Sequence, residues 1–270
     1  MTTHLFAPSL GMGTFRLKDQ LAYDSVTLAL QAGYRHIDTA QIYGNEAEVG
    51  QAISDSGIAR EQIFLTTKVW LSNLAADTFL LSVRETLQKL NTDYVDLLLI
   101  HWPDSSNAVA MQDYLQQLKK AKSLGLTKAI GVSNFTIAQM QQAIDILGPG
   151  ELVTNQVEVH PYLQNRKLLA FMQQQGITPT AYMPLAVGKV FADPVLQDIA
   201  ARSGHSIAQV VLRWVLDQGM VTIPMSTKAK NLADNFGAQQ ISLSAEDKAL
   251  IAGLDAGERI ANPDFAPDWD

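Results

Sequence analysis

Short apolar runs alternate with longer segments of helical spacing along nearly the whole chain. That rhythm points to a parallel α/β fold, because parallel strands need a helical crossover between each pair. The strand-like runs are SLGMG (9–13), YRHID (34–38), IFLTTK (63–68), YVDLLLI (94–100), KAIGVS (128–133), LVTNQVEV (152–159), ITPTAYM (177–183) and MVTIPM (220–225). Between them, Ala22, Val26, Ala29 and Leu30 share one helical face, with Asp19 as the expected cap and Gly33 as the stop. Met111, Leu115, Leu118 and Ala121 repeat the pattern, and two helical stretches, 194–203 and 206–218, precede the last strand. Eight such units in about 250 residues is what a (β/α)8 TIM barrel requires, although periodicity does not separate it from an open doubly wound sheet. With 270 residues, 47% of them hydrophobic, and no linker or low-complexity stretch, residues 1–270 read as one domain.

The formal charge of −7 argues against nucleic-acid or anionic-membrane partners, which call for a clustered positive field. The absence of cysteine removes disulfides, thiolate metal sites and cysteine nucleophiles, and suits a cytoplasmic setting. MTTHLFAPSLGMG has neither the basic region nor the continuous apolar run of a signal peptide, and no apolar run approaches a membrane span.

The polar groups fall at informative places. Asp38, Lys68 and His101 stand at the C-terminal ends of three successive strand-like runs, and Tyr43 lies five residues beyond Asp38. In a barrel those ends converge on the face where active sites are built. Hydride addition to a carbonyl builds negative charge on oxygen, so the site must hydrogen-bond that oxygen and protonate it. A tyrosine hydroxyl does both once its pKa of about 10 is lowered, which a neighbouring lysine favours; an aspartate holds the lysine, and the histidine is a second donor.

GMGTF, HIDTAQIYGNE, TTKVW, LIHWP, GVSNF, NQVEVHPYLQ and AYMPLA, in this order, resemble the successive landmarks of the aldo-keto reductases. Within that family the chain resembles the short bacterial members that reduce 2,5-diketo-D-gluconate, the B type. The resemblance implies a TIM barrel, a nicotinamide cofactor and the catalytic set Asp38, Tyr43, Lys68 and His101, with Tyr43 as proton donor. It further implies that Gly13, Thr14 and Phe15 border the cofactor, that Ser133, Asn134 and Gln156 hold the nicotinamide carboxamide, and that Tyr182 stacks on the ring. Met183, Pro184 and Leu185 would pass over the pyrophosphate, and Asp234 and Asn235 match contacts at the adenine end.

Many relatives carry a lysine where Met225 stands and an arginine where Asn231 stands, both gripping the adenosine 2′-phosphate. Ser226, Thr227, Lys228 and Lys230 would form a replacement clamp, and the cofactor expected is NADP(H). Phe15, Trp70 and Trp102 follow strands directly and would wall the substrate site, with Arg16 at its rim. The short loop after His101 and the early end of the chain imply an open pocket without an extended tail. That suits small aldehydes, α-dicarbonyls such as methylglyoxal, or keto-sugar acids such as 2,5-diketo-D-gluconate. Family resemblance suggests a monomer.

Two other classes compete. A non-catalytic barrel that senses the nucleotide would not require Tyr43 and Lys68. A metal-dependent hydrolase could use His36 and Asp38, which alternation places on one strand face, but only five histidines exist and no carboxylate cluster accompanies them. No metal is expected.

Overall fold

The computed structural model describes residues 6–270. His4 and the first residues of the N-terminal segment lie outside it. The elements in chain order are β1 (Met12–Gly13), α1 (Asp19–Gln31), β2 (His36–Asp38), α2 (Glu46–Asp55), β3 (Phe64–Val69) and α3 (Phe79–Lys89). They continue with β4 (Val95–Ile100), α4 (Met111–Ser123), β5 (Thr127–Ser133), α5 (Ile137–Leu147), β6 (Leu152–Glu158) and α6 (Arg166–Gln174). The last are β7 (Thr178–Tyr182), α7 (Pro194–Ser203), α8 (Ile207–Leu216), β8 (Val221–Thr222), α9 (Ala229–Gly237) and α10 (Ala245–Ala252).

Each strand pairs in parallel with the next, β1 through β8. Closure comes from β1 meeting β8: Gly11 N–H donates to the Thr222 carbonyl at 2.8 Å, and Thr222 N–H donates to the Ser9 carbonyl at 2.9 Å. Gly13 lies at this seam, where an added Cβ would stand 2.8 Å from the Ile223 carbonyl oxygen, so the close approach of backbones itself demands glycine. The strands are buried on both faces, which is why they read as continuous apolar runs such as Val95–Ile100 rather than as alternation. All eight strand-like runs become strands of this barrel, which settles the closed-versus-open alternative.

One local expectation is corrected. Asp19 does not cap α1: it is the first helical residue, in a left-handed conformation (φ 46°), and Lys18 occupies the cap position with no side-chain bond to the helix's own N–H groups. Gly33 does terminate the helix, at φ 103°, just past Ala32.

Candidate active site

The mouth is organised by one buried ion pair. Asp38 ends β2 and Lys68 is the penultimate residue of β3; both are essentially inaccessible, and Nζ of Lys68 lies 2.5 Å from Oδ1 of Asp38. Nζ also donates to the Thr39 carbonyl at 2.9 Å and stands 3.5 Å from the Tyr43 hydroxyl. The other oxygen of Asp38 accepts from Nε2 of Gln156 on β6 at 2.7 Å, so the carboxylate is held from across the barrel. A dry charge pair needs its remaining lone pairs satisfied, and these bonds do that.

Tyr43 sits on a 3-10 turn (Gln41–Tyr43) and is fixed from behind by Lys18, whose ammonium donates to the Tyr43 carbonyl. Its ring meets Phe15 at 5.2 Å and the edge of His101 at 5.5 Å, and His101 in turn packs on Trp70 at 5.1 Å. Four residues from four separate segments thus converge, as their positions in the sequence imply.

The electrostatics correct one expectation. Lys68 commits its short contacts to Asp38 and Thr39, and burial together with the Asp38 charge holds the Tyr43 hydroxyl well above the ordinary phenol range. Burial lowers the Lys68 ammonium, an effect that the Asp38 carboxylate opposes. Burial, then the Lys68 charge, hold His101 well below the usual imidazole range, so the ring is neutral at pH 7. Its Nδ1 is buried without a partner. A buried N–H with no acceptor is costly, so we assign the proton to Nε2.

The residues expected at a cofactor form a second polar network beside the first. Ser133 Oγ donates to the Gln156 carbonyl at 2.7 Å, Asn134 Nδ2 donates to the His101 carbonyl at 3.0 Å, and the Tyr182 hydroxyl donates to Asn134 Oδ1 at 2.8 Å. Asn134 adopts φ 63°, a conformation Asn tolerates better than most residues. Thr14 Oγ1 donates to the Asp38 carbonyl at 3.0 Å. After β7 the backbone is left-handed at Met183 (φ 50°), Ala186 (φ 46°) and Val187 (φ 52°), a strained path for a β-branched residue, and Pro184 is buried beside half-buried Leu185. After β8, Ser226 is buried and accepts from Lys228 N–H at 3.3 Å, while Thr227, Lys228 and Lys230 are exposed at the start of α9. Asn235 is buried, and the Asp234 carboxylate accepts from the Ser206 hydroxyl at 2.5 Å, a tie to the cap of α8.

His36 takes no part in the mouth. It bonds Thr66 Oγ1 (3.2 Å) and the Pro8 carbonyl (3.3 Å), and among the described residues no group of three His, Cys, Asp or Glu side chains could hold a metal ion.

The open, tail-free pocket is corrected as well. Phe265 packs edge-on against Trp70 at 5.7 Å and Trp102 at 5.4 Å, and Trp269 reaches Trp102 at 6.0 Å. The C-terminal segment therefore contributes to the aromatic wall. The signal in the sequence was the placing of two large aromatics in the polar stretch PDFAPDWD, where water is a poor home for them. Arg16 is exposed, 5.2 Å from the Phe15 ring centroid.

Residues 9–256 match the model of the Aldo/keto reductase family. The chain is 54% identical over 264 residues to methylglyoxal reductase DkgB of Yersinia pestis, spanning 97% of this chain and 99% of that protein. It is 40% identical over 261 residues to glyoxal reductase of Bacillus subtilis, spanning 95% and 92% of the two chains. A solved structure described as a 2,5-diketo-D-gluconic acid reductase B superposes with a TM-score of 0.94 at 44% identity, over 97% of this chain and 94% of that one.

Proposed function

The chain belongs to the aldo/keto reductase family, oxidoreductases that act on carbonyls with a nicotinamide cofactor, and on that premise we propose that it is an NADPH-dependent reductase of small carbonyl compounds. Methylglyoxal-like α-dicarbonyls and small aldehydes are the leading substrates, with keto-sugar acids such as 2,5-diketo-D-gluconate beside them, after the proteins it resembles. The observation that carries this reading is the run from Gln156 through Asp38 and Lys68 to Tyr43, with neutral His101 facing the same ring.

The cofactor fits the residues present. Ser133, Asn134 and Gln156 offer a polar edge for a carboxamide with Tyr182 beside them to stack on the ring, and the exposed start of α9, with Thr227, Lys228 and Lys230 beside buried Ser226, offers a helix N-terminus and two cations to a phosphate. This pair of lysines favours NADPH over NADH in the absence of charge at Met225 and Asn231. When bound, the nicotinamide supplies the hydride.

The rest is the work of the chain. His101 donates from Nε2 to the substrate oxygen and orients it; Tyr43 donates to the same oxygen and yields its proton as negative charge develops there. The high resting affinity of Tyr43 for its proton is compatible with this role, because an alkoxide is a far stronger base than a phenolate. Lys68, 3.5 Å away, stabilises the phenolate that remains, and Asp38 holds the ammonium in place. The aromatic wall of Phe15, Trp70 and Trp102 excludes water from this exchange. A cytoplasmic monomer is part of the same reading: the lack of cysteine is compatible with a reducing compartment, and the monomer follows the family resemblance.

The test is a turnover screen with NADPH and NADH against methylglyoxal, small aldehydes and 2,5-diketo-D-gluconate. The expected result is NADPH oxidation with methylglyoxal at a clearly higher kcat/KM than with NADH. No turnover of any carbonyl with either cofactor would sink the proposal.

A further inference from the structure

Glu158 is a fully buried carboxylate for which the chemistry above has no use. It ends β6, two residues after Gln156 and so on the same strand face. Its Oε1 accepts from His160 Nε2 at 2.8 Å and from the backbone N–H of Ile260 at 2.8 Å; its Oε2 accepts from the N–H of Ala261 at 2.7 Å. Burial pushes this carboxyl up, but the bonds from His160, Ala261 and Ile260 outweigh it and hold the group below the ordinary carboxylate range. The charge is therefore kept in order to grip residues 260 and 261.

The surrounding loop serves the same end. The Tyr162 carbonyl accepts from the N–H groups of Ala256 (3.1 Å) and Glu258 (3.0 Å). Asn165, left-handed at φ 47°, donates to the Glu158 carbonyl at 2.6 Å and accepts from Arg259 at 3.2 Å. Beyond this root the chain runs without helix or strand from residue 262 to 270. It lays Phe265 on Trp70 and Trp102 at the ends of β3 and β4, and Trp269 on the Arg259 guanidinium at 3.6 Å. It ends with the Asp270 side chain accepting from Ile137 N–H at 2.9 Å, at the start of α5. An irregular segment has no ladder to hold it, so its path over the mouth depends on these anchors.

We propose that Glu158 is a positioning residue for substrate selection, fastening residues 256–270 as a strap over the mouth so that Phe265, held against Trp70 and Trp102, limits the site to small carbonyl compounds. This rests on the reductase reading. Glu158→Gln keeps the volume but offers an amide donor where the strap presents N–H groups, so one grip is lost and a donor opposes a donor.

The experiment joins two readouts on wild type, Glu158→Gln and Phe265→Ala. Hydrogen exchange across residues 256–263 reports the fastening without reference to turnover. Steady-state kinetics with NADPH compare methylglyoxal with 2-naphthaldehyde as a bulky carbonyl. In Glu158→Gln the strap amides should lose protection, KM for methylglyoxal should rise with kcat little changed, and the preference for methylglyoxal over naphthaldehyde should fall about tenfold. Phe265→Ala should shift the preference similarly with the root amides still protected, and it carries the test should Glu158→Gln not fold. Unchanged protection in folded Glu158→Gln, or an unchanged preference in both variants, overturns the proposal. If wild type reduces neither compound the reductase reading falls, and size selection is then read from aldehyde quenching of the emission of Trp70, Trp102 and Trp269, where equal affinities in all three proteins overturn it.

Discussion

Asp38 at the mouth and Asp96 at the opposite end of the barrel are built from the same parts and do different things. Asp96, second residue of β4, accepts from Arg60 at 2.9 Å, from Lys128 at 3.0 Å and from the N–H of Leu65 at 3.0 Å, with the Tyr94 ring beneath both cations at 4.4 and 4.2 Å. Asp38 likewise joins a lysine and a neutral donor, with a tyrosine alongside. The difference lies in water and in neighbours. The Lys128 side chain is 56% exposed whereas that of Lys68 is 0% exposed, and only the mouth adds a neutral imidazole facing the tyrosine. A buried carboxylate with a lysine is thus not itself a sign of chemistry; at the lower end it ties β3, β4 and β5 together. In the proposed mechanism dryness is what makes the upper pair an electrostatic tool, because a charge there acts through little solvent.

The sharpest way to break this comparison is at the two tyrosines. Tyr43→Phe should lower kcat by about 10²- to 10⁴-fold, the usual worth of a positioned proton donor, while cofactor binding by fluorescence titration stays nearly unchanged. A rate close to wild type would remove Tyr43 as the acid. The matching change at the lower end, Tyr94→Phe, removes a hydroxyl that is buried without a partner, and should leave kcat where it was.

Next in size is the ion pair. Lys68→Met strands a buried carboxylate and should cost about 3–5 kcal/mol of unfolding free energy by urea titration. Asp38→Asn combined with Lys68→Met should recover most of that loss without recovering activity. A double variant as unstable as the single one would mean that packing, not charge, set the cost.

The sequence made the barrel legible because strands buried on both faces announce themselves as apolar runs, and it made the four central residues legible because three of them close such runs. What it concealed were relations between distant segments. Nothing local in NQVEVH tells that Gln156 reaches Asp38 or that Glu158 grips residues 260 and 261, contacts that span more than a hundred positions. Nor could composition reveal that burial and the Asp38 charge would raise the Tyr43 proton affinity, since both depend on how the folded chain encloses the hydroxyl. Asp19 failed as a cap for a more local reason: the chain enters α1 one residue earlier.

A smaller effect separates the ends by pH. His101 is held neutral by burial and, secondarily, by Lys68, so its folded-state affinity for a proton lies below that of the unfolded chain, near 6.5. As pH falls below 6.5 the unfolded state takes up the proton first, and stability present above that value is lost on the way down. One such group contributes a slope of at most about 1.4 kcal/mol per pH unit. Urea titrations at pH 7.5 and 5.5 should show a loss in wild type that is smaller in His101→Asn. His36 is also lowered by burial and leaves a remainder in both proteins. Equal losses in the two would mean that His101 carries no part of the acid sensitivity.

The least change is expected at Lys128. Its ammonium lies 3.0 Å from Asp96, but more than half of its side chain is in water, and Arg60 with the Leu65 amide still satisfies the carboxylate when it is gone. Solvent screens such a pair, and holding a long side chain in place costs entropy, so Lys128→Met should lose only about 0.2–1 kcal/mol and no activity. The contact with the Tyr94 face adds little, since the methionine stem keeps much of the same packing. Measured beside Lys68→Met, the ratio of the two losses tests whether hydration separates the ends. A loss at Lys128 as large as that at Lys68 would show that the lower carboxylate depends equally on its lysine, and the contrast between a dry tool and a wet tie would have to be abandoned.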